Sequence, residues 1–157
     1  MKVSLIVIGK TEVSYFAEAI EEYRKRLSHY IPFEIEVVPE LKNTKNLNEE
    51  QLKEREGACL LKQLQAGDYL ILLDDKGKEY TSLQFAAYME KKMHIVSRRL
   101  VFAVGGAYGF SQKVYATAQE KLSLSQMTFS HQMIRLVFTE QLYRAMTILH
   151  HEPYHHE

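Results

Sequence analysis

Two stretches constrain the fold more than any others: DYLILLD at 68–74 and RLVFAV at 99–104. Both are apolar at successive positions, so neither can turn one face to water. Strands of that kind sit inside a parallel sheet covered on both sides. A helical pattern separates the two runs, and the same alternation extends in both directions. KVSLIVIG predicts a buried strand over 2–8. A helix over 13–27 follows, with Val13, Phe16, Ala17, Ile20, Tyr23 and Leu27 at helical spacing. FEIEVV alternates strictly and predicts a half-exposed strand bounded by Pro32 and Pro39. Asn48 and Gln51 have capping-box spacing and open a helix to about residue 65, closed by Gly67. DKGKEY predicts a turn centred on Gly77. Helices over 83–93 and 111–119, a short KLSLS strand and a long amphipathic helix over 131–149 complete the pattern. The expected fold is α/β: a layered, largely parallel sheet flanked by helices.

A chain of 157 residues can bury a sizeable core without disulfides, and one domain over 1–157 is expected. The single cysteine, Cys59, excludes an intrachain disulfide and fits a reducing, cytoplasmic setting. The N-terminal run VSLIVI is too short for a signal-peptide core or a membrane span. Lysine and arginine balance aspartate and glutamate at 20 each, which argues against a bulk nucleic-acid binder. Local patches remain: YRKRL at 23–27, and the last helix with its tail. Five of the seven histidines lie at or after His131.

In open α/β sheets, ligands bind outside the carboxyl ends of the strands. Leu73-Asp74 and Gly105-Gly106 are two such ends, so a small molecule is expected between them. The second opens VFAVGGAYGFS, which invites a phosphate-loop reading. That reading fails on spacing. The dinucleotide signature needs G-x-G-x-x-G with an acid about 20 residues on, and the P-loop needs a Gly-Lys-Ser/Thr ending; neither is present. As plain turn chemistry, Gly105 and Gly106 supply positive φ or close packing, and Gly109 precedes Ser111 as helix N-cap. An uncharged ligand surface fits better. The irregular LSQMTF, Leu124 to Phe129, mixes apolar and small hydroxyl residues and suits S-adenosylmethionine, which carries no phosphate. The two glycines would then let the chain pass close to that ligand.

LDDKGKEYTS, VFAVGGAYGFS, LSLSQMTFSHQMIR, EQLYRA and PYHHE, with VIGK and KEREG earlier, resemble the bacterial ribosomal RNA large subunit methyltransferase H family along essentially the whole chain. The resemblance implies a SPOUT-type fold with a deep trefoil knot near the C-terminus, and a homodimer. It implies methyl transfer from S-adenosylmethionine to N3 of a pseudouridine in helix 69 of 23S rRNA, on the assembled ribosome. It also carries over cofactor positions: Leu73, Gly105, Leu124, Ser125, Gln126, Met127, Thr128 and Phe129. Two other readings compete, a Rossmann-like nucleotide-binding enzyme and a non-catalytic ribosome-associated RNA-binding protein.

Catalytic candidates lie after residue 130. His131 follows the cofactor loop, and Arg135 lies one helical turn on, placed to meet a dimer partner or an RNA phosphate. Glu140 and Arg144, also four apart, read as an ion pair. In the tail, Tyr154 can stack on or hydrogen-bond a base, and His155 can exchange a proton. The family ends in Tyr-His followed by Lys or Arg; here His156 holds that place. The clustered tail histidines match no zinc spacing and lack partner cysteines, so no metal is expected. With only local positive patches, the protein should bind short generic RNA weakly and lose that binding as salt rises. A salt-dependent gel-shift titration checks this; tight, salt-insensitive binding would contradict it.

Overall fold

The computed structural model describes residues 1–156. Five strands form one sheet in the order β2-β1-β4-β3-β5, with every neighbouring pair parallel. In chain order the elements are β1 (Lys2–Ile8), α1 (Ser14–Leu27), β2 (Phe33–Val38), α2 (Glu49–Leu61), β3 (Tyr69–Glu79), α3 (Ser82–Ile95), β4 (Arg99–Val104), α4 (Gln112–Thr117), β5 (Glu120–Ser123) and α5 (Met133–Leu149). β4, apolar at every position after Arg99, is the central strand and is buried throughout. The alternating run, β2, is an edge strand of mostly intermediate burial.

The period-2 geometry of the strands sorts the core into two layers. Val3, Leu5, Val7, Ile71, Leu73, Leu100, Phe102 and Val104 face one side, where they pack with Leu27 of α1, Met89 of α3 and Phe138 and Leu142 of α5. Ile6, Ile8, Leu70, Leu72, Val101 and Ala103 face the other, against Leu60 of α2 and Val114 of α4. Two buried ion pairs tie the layers. At the amino ends of the strands, Arg99 donates to Asp68 through Nε at 3.1 Å and Nη2 at 2.6 Å, and its Nη1 reaches Glu36. Lys92 of α3 pairs with Glu120 at the start of β5, which also accepts from the hydroxyls of Tyr69 and Tyr88.

Several boundaries differ from the sequence expectation. The capping box of Asn48 and Gln51 is formed, but α2 ends at Leu61, before two further turns lead to Gly67 at φ +88°. The helix α3 starts at Ser82 and runs to Ile95, wider than the expected 83–93, and Thr81 caps it: its hydroxyl accepts the Gln84 N–H and the Gln84 side chain reaches back. The helix α5 starts at Met133, so His131 stands in the turn before it.

DKGKEY is not a turn. It continues β3 as extended chain, and residues 74–77 bulge out of the ladder between Leu73 and Lys78, both of which pair with Leu122. Bulges of this kind re-aim side chains near sites. Glycine is needed at 77 for proximity: a Cβ there would lie 2.6 Å from the Leu122 nitrogen and 2.7 Å from the Lys121 carbonyl carbon. Gly77→Ala should therefore push β3 and β5 apart and cost about 1–3 kcal/mol, as overpacking does. A lower urea midpoint at unchanged m-value is the expected readout.

Candidate active site

At the carboxyl edge of the sheet, three segments enclose a cleft of about 650 Å³, within the size range of small-molecule sites. The first wall is the end of β3 and its bulge: Leu73, Asp74, Asp75 and Lys76. The second is the glycine loop from Val104 to Phe110, with Tyr115 of α4. The third is Leu124, Ser125, Thr128, Phe129, Ser130 and His131, closed by Ile134 of α5.

The glycine loop is built differently from the expectation. Gly109 donates its N–H to the Gly106 carbonyl at 3.1 Å, and Gly109 alone of the loop's glycines has positive φ, +85°. A Cβ on Gly105 would meet the backbone of Gly109 at 3.2 Å, and one on Gly106 would meet Glu56 Oε1 at 2.5 Å. The missing side chains thus make room for the loop itself and for a carboxyl behind it. Burial, with Glu40 nearby, raises the Glu56 pKa above the ordinary carboxylate range. Its Oε1 is buried with no hydrogen-bond partner.

The third wall is set by local turn bonds. Ser125 Oγ accepts the Met127 N–H at 2.9 Å, and Ser130 Oγ accepts the Met133 N–H at 3.1 Å at the start of α5. Among the eight positions from the resemblance, Leu73, Gly105, Leu124, Ser125, Thr128 and Phe129 line the cleft. Gln126 instead donates to Glu79 Oε1 at 2.6 Å, and Met127 is 80% exposed.

Arg135 is not on an RNA-facing or partner-facing surface. It is 1% exposed. Its Nη2 donates to the Ile8 carbonyl at 2.9 Å, Nη1 to the Gly9 carbonyl at 2.9 Å and to Thr11 Oγ1 at 3.2 Å, and Nε to the His131 carbonyl at 2.9 Å. Burial lowers its pKa, while Glu40 and Glu12 act in the opposite sense; a guanidinium stays charged regardless. The side chain can reach neither a phosphate nor a second chain. It holds the carboxyl end of β1 to the start of α5, and so fixes the turn bearing His131.

The tail stands elsewhere. Tyr154 donates to Glu140 Oε1 at 2.9 Å and packs edge-on against Tyr143, while His155 Nδ1 lies 3.0 Å from Arg144 Nη1. Glu140 and Arg144 do form the ion pair their spacing suggests, at 2.7 Å. These contacts dock the tail on the middle of α5, between Glu140 and Arg144. Glu140 and Arg144 lie six and ten residues beyond Ile134, about 9–15 Å along the helix axis, and neither Tyr154 nor His155 lines the cleft. Glu157, the last residue of PYHHE, lies outside the described residues.

The charge of the cleft was only half legible in the sequence. Asp74 is visible there as a polar residue ending a buried strand, but Tyr115 is not: its hydroxyl donates to Asp74 Oδ2 across 41 positions. Two aspartates, one lysine and one histidine are the titratable side chains other than tyrosine that line the cleft, and no arginine does. That balance disfavours an anionic phosphate and suits a neutral or cationic ligand. Among the described residues, no group of three or more His, Cys, Asp or Glu side chains is arranged to hold a metal ion. Nor, among those residues, is any helix long and apolar enough to cross a membrane.

A parallel α/β sheet with an arginine-free cleft at its carboxyl edge, walled by a glycine loop and a knob of irregular chain, is compatible with a methyltransferase of the SPOUT class. The chain belongs to that family: the profile described as "Predicted SPOUT methyltransferase" matches residues 1–155. It is 69% identical over its whole length to Ribosomal RNA large subunit methyltransferase H of Parabacteroides distasonis, covering all of that protein. Proteins of the same name from Phocaeicola vulgatus and Porphyromonas gingivalis are 59% and 54% identical, again with both chains fully covered.

Arg135→Met keeps the length of the side chain but leaves the Ile8, Gly9 and His131 carbonyls without their donor. An orphaned buried acceptor costs about 1–3 kcal/mol, so a loss of about 3 kcal/mol or more in urea unfolding is expected, against near-neutral behaviour if the site were on the surface.

Proposed function

We propose that the protein transfers a methyl group from S-adenosylmethionine to N3 of a pseudouridine in helix 69 of 23S rRNA, acting as a homodimer on the assembled ribosome in the cytoplasm. The observation that carries this reading is the cleft: strand-end, glycine-loop and 124–131 walls converge on a slot with acidic rather than basic charge. A nucleoside bearing a sulfonium fits such a slot, and a nucleotide does not. The names of the full-length relatives support ribosomal RNA of the large subunit as substrate. The deep knot and the one-domain organisation over 1–157 belong to the same reading.

S-adenosylmethionine supplies an already activated methyl group, so positioning is the main task left to the protein. Leu73, Gly105, Leu124, Ser125, Thr128 and Phe129 would hold the donor, with Gln126 and Met127 on the outer rim. The N3–C bond forms as the S–C bond breaks, and the N3 proton must leave to a base or water. His131 is the imidazole on the cleft of the same chain. Neither Tyr154 nor His155 lines the cleft of its own chain, so in this reading a second protomer brings its tail to the cleft. Arg135 acts through His131 as a positioning residue and touches no substrate.

His155→Ala should leave donor affinity within about twofold by calorimetry while lowering turnover on ribosomes at least tenfold, the lower end of general acid–base contributions being about a hundredfold. Unchanged turnover would remove the tail from catalysis. Absence of any S-adenosylmethionine binding at millimolar ligand by the folded protein would remove the methyl-donor reading altogether.

A further inference from the structure

We propose that the Asp74 carboxylate selects the cationic methyl donor over the neutral thioether left after transfer, and that Tyr115 holds it in place for that purpose. The inference rests on the methyl-donor reading above and adds the group that senses the donor's charge.

Asp74 is the first residue of the β3 bulge. It leaves the ladder immediately after Leu73, at the point where the strand meets the cleft. Its carboxylate is fixed from two sides: Oδ1 accepts the Lys76 N–H at 2.9 Å, and Oδ2 accepts the Tyr115 hydroxyl. Tyr115 belongs to α4, the helix that follows the glycine loop, so this bond links two walls of the cleft. Phe110 packs edge-on against the Tyr115 ring at 5.8 Å between centroids and holds it in that position. Burial pushes the Asp74 pKa up, but the Tyr115 hydroxyl, the Lys76 N–H, the Asp75 side chain and Lys121 together outweigh it, and the net shift is downward. Burial and Asp74 together raise the Tyr115 pKa, so the tyrosine remains the donor.

A carboxylate held ionised in this way is a poor proton acceptor and a good fixed negative charge. That decides between two roles. It favours charge complementarity with a ligand cation over abstraction of the N3 proton. The other charges facing the cleft are Asp75, Lys76 and His131, and Lys121 acts on Asp74 from the β5 side. Asp75 and Lys76 are exposed on the bulge, where water screens them. Asp74 is the carboxylate anchored by a side chain from a second wall. The donor and its thioether product share adenine, ribose, ammonium and carboxylate, and differ by one methyl and one positive charge. A fixed anion at the cleft therefore favours donor entry and product release.

Calorimetry of the full chain tests this with three ligands: S-adenosylmethionine, S-adenosylhomocysteine and an analogue carrying a protonated amine in place of the sulfonium. The wild-type protein should bind the two cations more tightly than the thioether. Asp74→Asn keeps the shape and one acceptor. It should weaken S-adenosylmethionine about tenfold, the scale of one charge acting across a partly solvated site, and leave S-adenosylhomocysteine within about twofold. Circular dichroism melting monitors its fold; if it does not fold, the wild-type comparison decides alone. Equal wild-type affinity for cation and thioether overturns the inference, as does an equal loss of both ligands in Asp74→Asn. Neither outcome touches the methyl-donor reading, whereas failure of every ligand to bind the wild type removes both.

Discussion

The guanidinium of Arg135 is the interaction on which the rest of the site depends. Parallel pairing leaves backbone carbonyls at the carboxyl end of β1 with no strand beyond them. An arginine from α5, 127 positions on from Ile8, enters the interior and takes two of them, together with the His131 carbonyl on its own turn. The β1 end, the start of α5 and the turn between the 124–129 segment and that helix are thereby locked as one unit. The charge is tolerated because its donors meet oxygen acceptors, and because two glutamates lie near enough to act on it. With α5 fixed, the third wall of the cleft has a defined end; without it, Ser130 and His131 would have no stable support.

Most of the layering was legible in the sequence, and the reasons are specific. The runs at 69–73 and 100–104 are apolar on both faces, which requires cover on both, and the structure supplies helices on each side. FEIEVV alternates because it is an edge. The capping box at Asn48 and the N-cap at Ser111 are local signals and both are formed. What could not be read shares one property: its cause lies far away in sequence. Gly77 resembles turn chemistry until the backbone of Lys121 and Leu122 is beside it. Gly106 resembles a ligand approach until Glu56 is behind it. Arg135, spaced like a surface cation from His131, is internal because its acceptors are on β1.

The same holds for the site. Leu73, Gly105 and the 124–129 segment come together as the strand-end rule anticipates, but Gln126 and Met127 are turned to the rim by the Ser125 turn and the bond to Glu79. The tail was the strongest single chemical signal in the sequence, and within one chain it is tied to the middle of α5. A Tyr–Glu–Arg–His chain of contacts holds it there rather than leaving it loose. Neither Tyr154 nor His155 lines the cleft of its own chain.

The parallel order of the sheet also sets a timetable for the growing chain. β1 finds β2 some 30 residues later, but its other neighbour is β4, with Lys2 opposite Arg99, 97 positions on. At ordinary rates of synthesis that interval is about 5–20 s. For that time the β1-α1-β2 unit has one unpaired strand margin and an apolar face awaiting α5. Non-local pairing of this sort folds slowly. The carbonyls that Arg135 will occupy stay hydrated until the last segment has emerged, so the strand that comes first is the last to be sealed.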